Sequence, residues 1–567
     1  LTVSPSQRTA QTVSDADSPD QTTTEAIADP AGDASALRPS ASPPRGSGLI
    51  RSSMVNSSLT LVSRFMGFLR DLVISYRMGA SATPAADAFY TALAFPNLFR
   101  RIFGEGAFAA AFQPAYVRAL HKDGKEVADK LAEEAMAGLA AITIALTVVA
   151  QLAMPWLMYA INPGYAHDPT KFKLAVLLTQ MTMPYLPCMA IYAHLSGVLN
   201  SHGRFIVSAA APALLNLVML IFVLPQKDAI AAAQWASAGV VVAGLCQVAL
   251  LWWGVAKSGS HVRWVWPTLN PEIRALIAKA VPGALSASAF QINIFISGIL
   301  ASQQAGARSW LNAADRLYQL PVGLVGVAIG VALLPRLSKA VHTHDHAGGQ
   351  QALDEAVTYA LALTLPAAAA LTAMPFFIID GLFTRGAFNA YDAHQTAHAL
   401  FHYGWGAPAF VLMQIVNRAF YARQDTRTPM RFAMIQVVVN IVLGVGLFMA
   451  IGFQGIAAAT SVASWLSVFL MLGALARRGH YAVSAHAMAR IARIAAASVV
   501  LGLVLAFASH ERTLIEHAVR FAAIGPLKAK EPAVALVCAL AVPLYGALLF
   551  LLGGVRPSEL KRAIRRG

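Results

Sequence analysis

The chain has 567 residues, 57% of them hydrophobic and only 13% charged, and its mean hydropathy is +0.56. That balance excludes an ordinary soluble domain and points to helices embedded in lipid. The net charge of +15 does not call for nucleic acid, because the basic residues gather in loops that face anionic lipid.

Residues 1–48 hold no apolar run and are rich in Ser, Thr, Ala, Pro and Asp, so a disordered tail is expected there. The tail lacks the apolar region of a secretory signal. It starts at Leu1 rather than Met, and no function is attached to it. From residue 49 long apolar stretches alternate with short polar loops. A spanning helix takes about 20 mostly apolar residues. Fourteen stretches meet that measure, at about 51–76, 84–118, 130–160, 172–200, 205–225, 229–256, 272–302, 310–341, 351–383, 393–422, 428–451, 454–477, 488–510 and 531–554. Several are longer than a straight crossing, which predicts tilt or extension beyond the bilayer. The expected fold is an all-α polytopic membrane protein with 14 transmembrane helices.

Lys and Arg concentrate in the connections after the second, sixth, eighth, tenth and twelfth stretches and at the C-terminus, including Arg118, Lys122, Lys257, Arg336, Arg423, Arg477 and Arg566. The opposite loops are poorer, apart from the one before the last stretch, with Arg512, Arg520, Lys528 and Lys530. This bias places both termini in the cytoplasm.

Residues 63–112 carry the unusual chemistry, since two apolar helices there include Arg64, Arg70, Asp71, Asp87, Arg100, Arg101 and Glu105. An arginine at mid-bilayer costs roughly 2.5–3.5 kcal/mol. Four together would cost about 10–14 kcal/mol, comparable with the stability of a whole domain. A wet internal cavity resolves the conflict, and a cationic cavity within a membrane implies an anionic passenger. Snorkelling of each arginine to headgroups from a helix end is the competing reading. Arg64 and Asp71, two turns apart, share a helix face, whereas Arg70 leaves the helix roughly 100° away from Asp71. Arg101 has Glu105 one turn on as a neutralising partner, so Arg100 is the better cavity candidate. Asp87, just after Pro84, is either a helix cap or a gate that pairs with an arginine across the cavity.

An internal repeat is visible. Asp87, Tyr90 and Pro96 reappear as Asp315, Tyr318 and Pro321; Pro114 as Pro335; and a segment ending at Asn216 as one ending at Asn440, all at spacings between 221 and 228 residues. Two pseudo-symmetric six-helix lobes follow, 49–260 and 261–480, with a helix pair and basic tail at 481–567. An even number of crossings per repeat makes them parallel, with the site between them. Arg316 then approaches the cavity from the second lobe, unless it forms a self-compensated pair with Asp315.

Other features have plainer readings. Cys188, Cys246 and Cys538 lie far apart within spans and are packing residues. HTHDH at 342–346 reads as a solvated loop rather than a metal site. Pro184 and Pro187 should break the fourth stretch. Walker A, G-x-S-x-G and HExxH motifs are absent. No cofactor and no metal is expected, and energy must come from a coupling ion, the membrane potential or the passenger's own gradient.

SRFMGFLRD at 63–71, ADAFYTALAFPNLFRRIFGEGAFAAAFQP at 86–114 and AADRLYQLPVGLVGVAIGVALLPRLSK at 313–339 closely resemble the MurJ/MviN family of lipid II flippases, within the multidrug/oligosaccharidyl-lipid/polysaccharide exporter superfamily. The resemblance runs from about 49 to 555. It implies fourteen helices, a central cationic cavity between two lobes, a C-terminal pair lining a groove for the polyprenyl tail, and a bacterial inner-membrane location. It matches the family's essential cavity arginines at Arg64, Arg70, Arg100 and Arg316 and its important aspartate at Asp87; the residue pattern itself adds the gate reading of Asp87 and puts Asp71, Arg101, Glu105 and Asp315 in support. The implied partners are lipid II, bilayer lipids and cell-wall synthesis proteins. An exporter of another polyprenyl-linked glycan or of a drug is the first rival, although a drug/cation antiporter would use acidic cavity residues. A membrane-embedded glycan-transfer enzyme is the second, with Glu511 and Asp392 as poor candidates for its carboxylate.

Overall fold

The computed structural model describes residues 46–99, 107–268, 270–522 and 528–554. Residues 52–567 form one compact unit. Regular structure among the described residues is helical throughout, with no strand.

The first half comprises α1 (Gly46–Met78), α2 (Ala85–Phe99), α3 (Ala107–Lys122), α4 (Lys125–Ile161), α5 (Pro169–Thr182), α6 (Tyr185–Ser201), α7 (Phe205–Val223) and α8 (Ala229–Lys257). Arg100, Arg101 and Glu105 lie between α2 and α3, outside the described residues. The expected break in the fourth stretch falls at Met183–Pro184, where proline offers no amide to continue the ladder. Polar caps set the other boundaries: Asp168 accepts from the Thr170 and Lys171 amides at 3.0 Å, and Asp228 accepts from Ala231 at 2.8 Å.

The second half comprises α9 (Pro271–Ser302), α10 (Ala307–His342), α11 (His346–Ala373), α12 (Pro375–Phe383), α13 (Ala390–Tyr421), α14 (Arg427–Ile451), α15 (Gln454–Arg477), α16 (Ala485–His510), α17 (Arg512–Ala518) and α18 (Lys530–Leu551). The stretch at 351–383 is two helices, because Pro375 starts a new one at the Met374 corner. HTHDH is not a free loop: His342 closes α10, His346 opens α11, and Asp345 between them caps α11 through the Gly348 amide. Among the described residues no group of three metal-ligating side chains forms.

Among the described residues ten helical stretches, with α5 and α6 taken as one, are long and apolar enough to cross a bilayer. Their outward faces are oily: Leu152 and Trp156 on α4, Val442 and Met449 on α14, Phe507 on α16 and Val542 on α18 are all exposed. In a water-soluble protein that much apolar surface would aggregate; against lipid tails it is the solvated face. The protein is a multi-pass membrane protein.

Buried apolar side chains gather into three clusters. One joins α1, α2, α4, α5, α6, α7 and α8, and a second joins α3, α4, α6, α7 and α8. The third, the largest, runs from the end of α9 to α18. Helix α9 belongs to both halves. Ile273 and Leu276 near its start pack with Tyr116 and Leu131, whereas Ala301 at its end packs in the second-half cluster.

Candidate functional site

Helices α1 and α10 meet across the halves and enclose a cavity of about 650 Å³. Arg64, Arg70, Asn216 and Gln247 line it from the first half, and Arg316, Gln319 and Gln414 from the second. Three of the four expected arginines are thus brought together; Arg100 falls outside the described residues.

Asp71 is the hub. It is 1% exposed, with Arg70 Nε and Nη2 on its Oδ1 at 2.9 and 2.7 Å. Arg316 Nε lies 2.5 Å from Oδ2, a contact of opposite charges rather than an aligned hydrogen bond. The helical spacing that separates Arg70 from Asp71 describes their Cα–Cβ directions, and the long Arg70 side chain curls back across that angle. Its remaining nitrogen, Nη1, donates to Asn216 Oδ1 on α7 at 2.9 Å, and Asn216 Nδ2 donates to the Ser63 carbonyl at 3.1 Å. Arg64 rests on α10 at Gly323, where an added Cβ would overlap its guanidinium. Three guanidiniums therefore line the cavity, two of them paired with the buried Asp71 carboxylate, and Arg64 and Arg316 keep exposed surface.

Asp315 does not join this group. It accepts from Gln319 and lines a separate, mainly apolar cavity of about 250 Å³ with Arg308, Asn312 and Tyr403. The ion pair of Arg316 crosses between halves to Asp71, so a pair closed within Asp315–Arg316 is not its principal contact.

Asp87 sits in the first turn of α2 and is 1% exposed. Of its two readings, a helix cap or a gate paired with an arginine, the cation it meets is not an arginine but Lys171 of α5, with Nζ 2.6 Å from Oδ2. The same carboxylate accepts from the Gly306 amide at 2.8 Å, the Ser309 amide at 3.0 Å and the Ser309 hydroxyl at 2.6 Å. Asp87 therefore caps α10 from the opposite half, where unpaired amides and the helix dipole favour an anion. Gly306 precedes α10 with φ 84°, a conformation that side chains other than glycine's resist.

Further links close the same end. Asp392 accepts from the Ser81 amide and hydroxyl at 3.1 and 2.5 Å and from Trp310 Nε1 at 3.0 Å. Arg308 Nη2 donates to Asn162 Oδ1 at 3.0 Å, Gly164 N to Ser302 Oγ at 3.2 Å and Ala387 N to the Tyr76 carbonyl at 2.9 Å. Away from this end, a space of about 340 Å³ shares Ser63, Arg64 and Pro212 with the main cavity and reaches Asn200 and Phe205. Ser63 lies roughly 22 Å back along α1 from Met78. The cavity is latched at the Asp87 end and continues toward the α6–α7 turn.

Sequence reasoning missed Lys171, Ser309, Asn216 and the linking role of Asp392. Asn216 had a readable signal, an isolated amide within an otherwise apolar span. Lys171 resembled any loop lysine.

The family model described as Lipid II flippase MurJ matches residues 74–522. A probable lipid II flippase MurJ from Rhizobium tropici is 36% identical over 523 residues, covering 91% of this chain and 97% of the relative. The lipid II flippase MurJ of Burkholderia cenocepacia is 33% identical over 442 residues, covering 76% and 85%. Among solved structures, a lipid II flippase MurJ in an inward closed conformation superposes with a TM-score of 0.71 at 22% identity, covering 87% of this chain and 98% of that one. An inward-facing multidrug resistance MATE family transporter of the MOP superfamily gives 0.62 at 13% identity, covering 75% and 97%. Both likenesses speak to the fold.

Proposed function

Because this chain belongs to the lipid II flippase MurJ family, we propose that it carries lipid II from the cytoplasmic to the outer leaflet of the bacterial inner membrane. Lipid II has a pyrophosphate between a disaccharide-pentapeptide and a long isoprenoid. The observation that carries the reading is the cavity's charge, three lining guanidiniums with one buried carboxylate paired to two of them. Planar guanidinium forks match phosphate oxygens two at a time and stay charged at any working pH. Arg64, Arg70 and Arg316 hold the pyrophosphate, and the family resemblance adds Arg100. Each buried isoprenoid CH₂ prefers lipid by about 0.8 kcal/mol, so the tail stays in the bilayer while the headgroup takes the polar route.

The loop charges put both termini in the cytoplasm, across fourteen crossings arranged as lobes 49–260 and 261–480 with the pair at 481–567. The Asp87 end then faces outward, and the described state is latched outside with its cavity directed inward. Pyrophosphate competes with Asp71 for Arg70 and Arg316. Release follows when the Asp87–Lys171 pair and the α10 cap open to the outside. A coupling ion or the membrane potential drives the cycle only by favouring one state over the other.

Cells depleted of the protein should lose lipid II at the outer face. The wild-type gene should restore it, and Arg316→Ala at equal expression should not. Unchanged exposure on depletion, together with no movement of lipid II by purified protein in liposomes, would reject the reading in favour of another anionic polyprenyl-linked glycan. A glycan-transfer enzyme using Asp392 is disfavoured because that carboxylate accepts from Ser81, Trp310 and the Asn389 amide.

A further inference from the structure

The chain leaves α8 at Lys257, turns at Gly259 (φ 87°) and runs without helix through residue 268. This segment is held down along one edge of α4. Lys125 reaches the Gly259 carbonyl, Asp129 accepts from the His261 amide at 3.1 Å, and Glu133 accepts from the Arg263 amide at 2.8 Å. Glu134 takes the Asn270 side chain at 2.6 Å. The register is physical: four residues of helix rise about 6.0 Å and two of extended chain about 6.6 Å, so carboxylates one turn apart meet alternate amides. Ser260 is buried against His202, and Val262 is buried in the cluster beneath.

Past that point the alternation turns outward. Trp264 is 56% and Trp266 87% exposed. Their height is fixed by α4, which carries its charges at 125–134 and none from Ala135 to Ile161. The strap descends along the charged turns and reaches its tryptophans where α4 turns apolar. That is where α4 passes from water into lipid. Nearby, exposed Trp253 of α8 lies under Lys257 Nζ at 4.8 Å, and Arg263 and Arg274 are exposed.

We propose that residues 258–268 are a membrane-surface strap, pinned to α4 on one side and seated on the other by Trp264 and Trp266 in the headgroup layer against anionic phospholipid. Indole suits that layer because its body is apolar and its N–H needs a polar partner. The flanking arginines and Lys257 supply the attraction to anionic lipid. The strap thus fixes the level at which α9, the helix shared by both halves, enters the membrane. This rests on the chain spanning a bilayer and not on what it transports.

The test uses the full-length protein in phosphatidylethanolamine–phosphatidylglycerol vesicles, with Trp264→Phe/Trp266→Phe as the blank. The emission lost in the double variant should be quenched by lipids brominated near the carbonyls, less by lipids brominated near the chain ends, and little by aqueous iodide. Replacing phosphatidylglycerol with phosphatidylcholine should raise the iodide quenching. Strong iodide quenching with no effect of bromination would overturn the proposal and leave the tryptophans to a soluble partner. Should the double variant fold poorly, a spin label at Trp266→Cys, in a background with the three native cysteines replaced, decides it. Relaxation by oxygen supports the strap, and relaxation by a water-soluble nickel chelate overturns it.

Discussion

Each half holds a polar pair at similar sequence separation, the first buried and the second half-buried. In the first, Arg70 of α1 donates to Asn216 of α7 across 146 residues; in the second, Asn440 of α14 donates to Asn293 of α9 across 147. The two contacts are alike in spacing and differ in charge. The amide pair is half-buried and leaves Asn440 Oδ1 without a hydrogen-bond partner, whereas Arg70 is held by Asp71 and Asn216 together. The second half supplies its cation from another helix, as Arg316 of α10, whose N-terminus Asp87 caps. The helix end that Asp87 caps and the cation that meets Asp71 therefore lie on one helix, so the proposed opening at Asp87 would carry Arg316 with it.

The largest effect should come from breaking the charged member of the comparison. Arg70→Ala should lower lipid II flipping in liposomes at least about tenfold, since a hydrogen bond to a charged group is worth about 1.5–3 kcal/mol. Asn293→Ala should change it far less; equal losses would mean that both pairs serve the passenger. Next, Asp87→Asn keeps an acceptor for Ser309 but removes the charge facing Lys171 and the α10 dipole. Labelling of Ser81→Cys by an impermeant maleimide from outside should then rise by about tenfold, the loss expected for one charge-assisted contact.

A smaller effect separates the asparagines. Asn216→Ala leaves a buried Arg70 donor unpaired at about 1–3 kcal/mol and should slow flipping several-fold without preventing membrane insertion. Asn440→Ala should lower thermal stability slightly and leave flipping near wild type. Smallest is a pH effect at the second half's loop end, where Asp425 joins the α13–α14 turn to Arg478 at 2.7 Å. Hydrogen bonds from the Thr428 hydroxyl and amide, with Arg478 adding to them, hold the Asp425 carboxyl down at about 2. A carboxylate lowered in the native state stabilises above its unfolded value near 3.9, and that stability is lost as pH falls toward 2. The melting-temperature gap between wild type and Asp425→Asn should stay constant above about pH 5, narrow to about half near pH 3 and close as pH falls below about 2. A gap that is undiminished at about pH 3 would assign the tie to shape rather than charge.

Composition and periodicity alone determined that this is an all-helical membrane protein, because apolar runs of spanning length have no other stable form in lipid. The cost of burying the arginines of 63–112 in lipid also marked Arg64, Arg70 and Arg100 for a wet cavity, and the internal repeat added Arg316. Partner identity was decided only by the tertiary structure. Helical spacing sets where a Cβ points and not where a guanidinium ends, so Arg70 could reach Asp71 against its helical angle. Lys171, Ser309 and Asn216 come from distant parts of the chain, 84, 222 and 146 residues from the groups they meet, and only packing brings them within hydrogen-bond range.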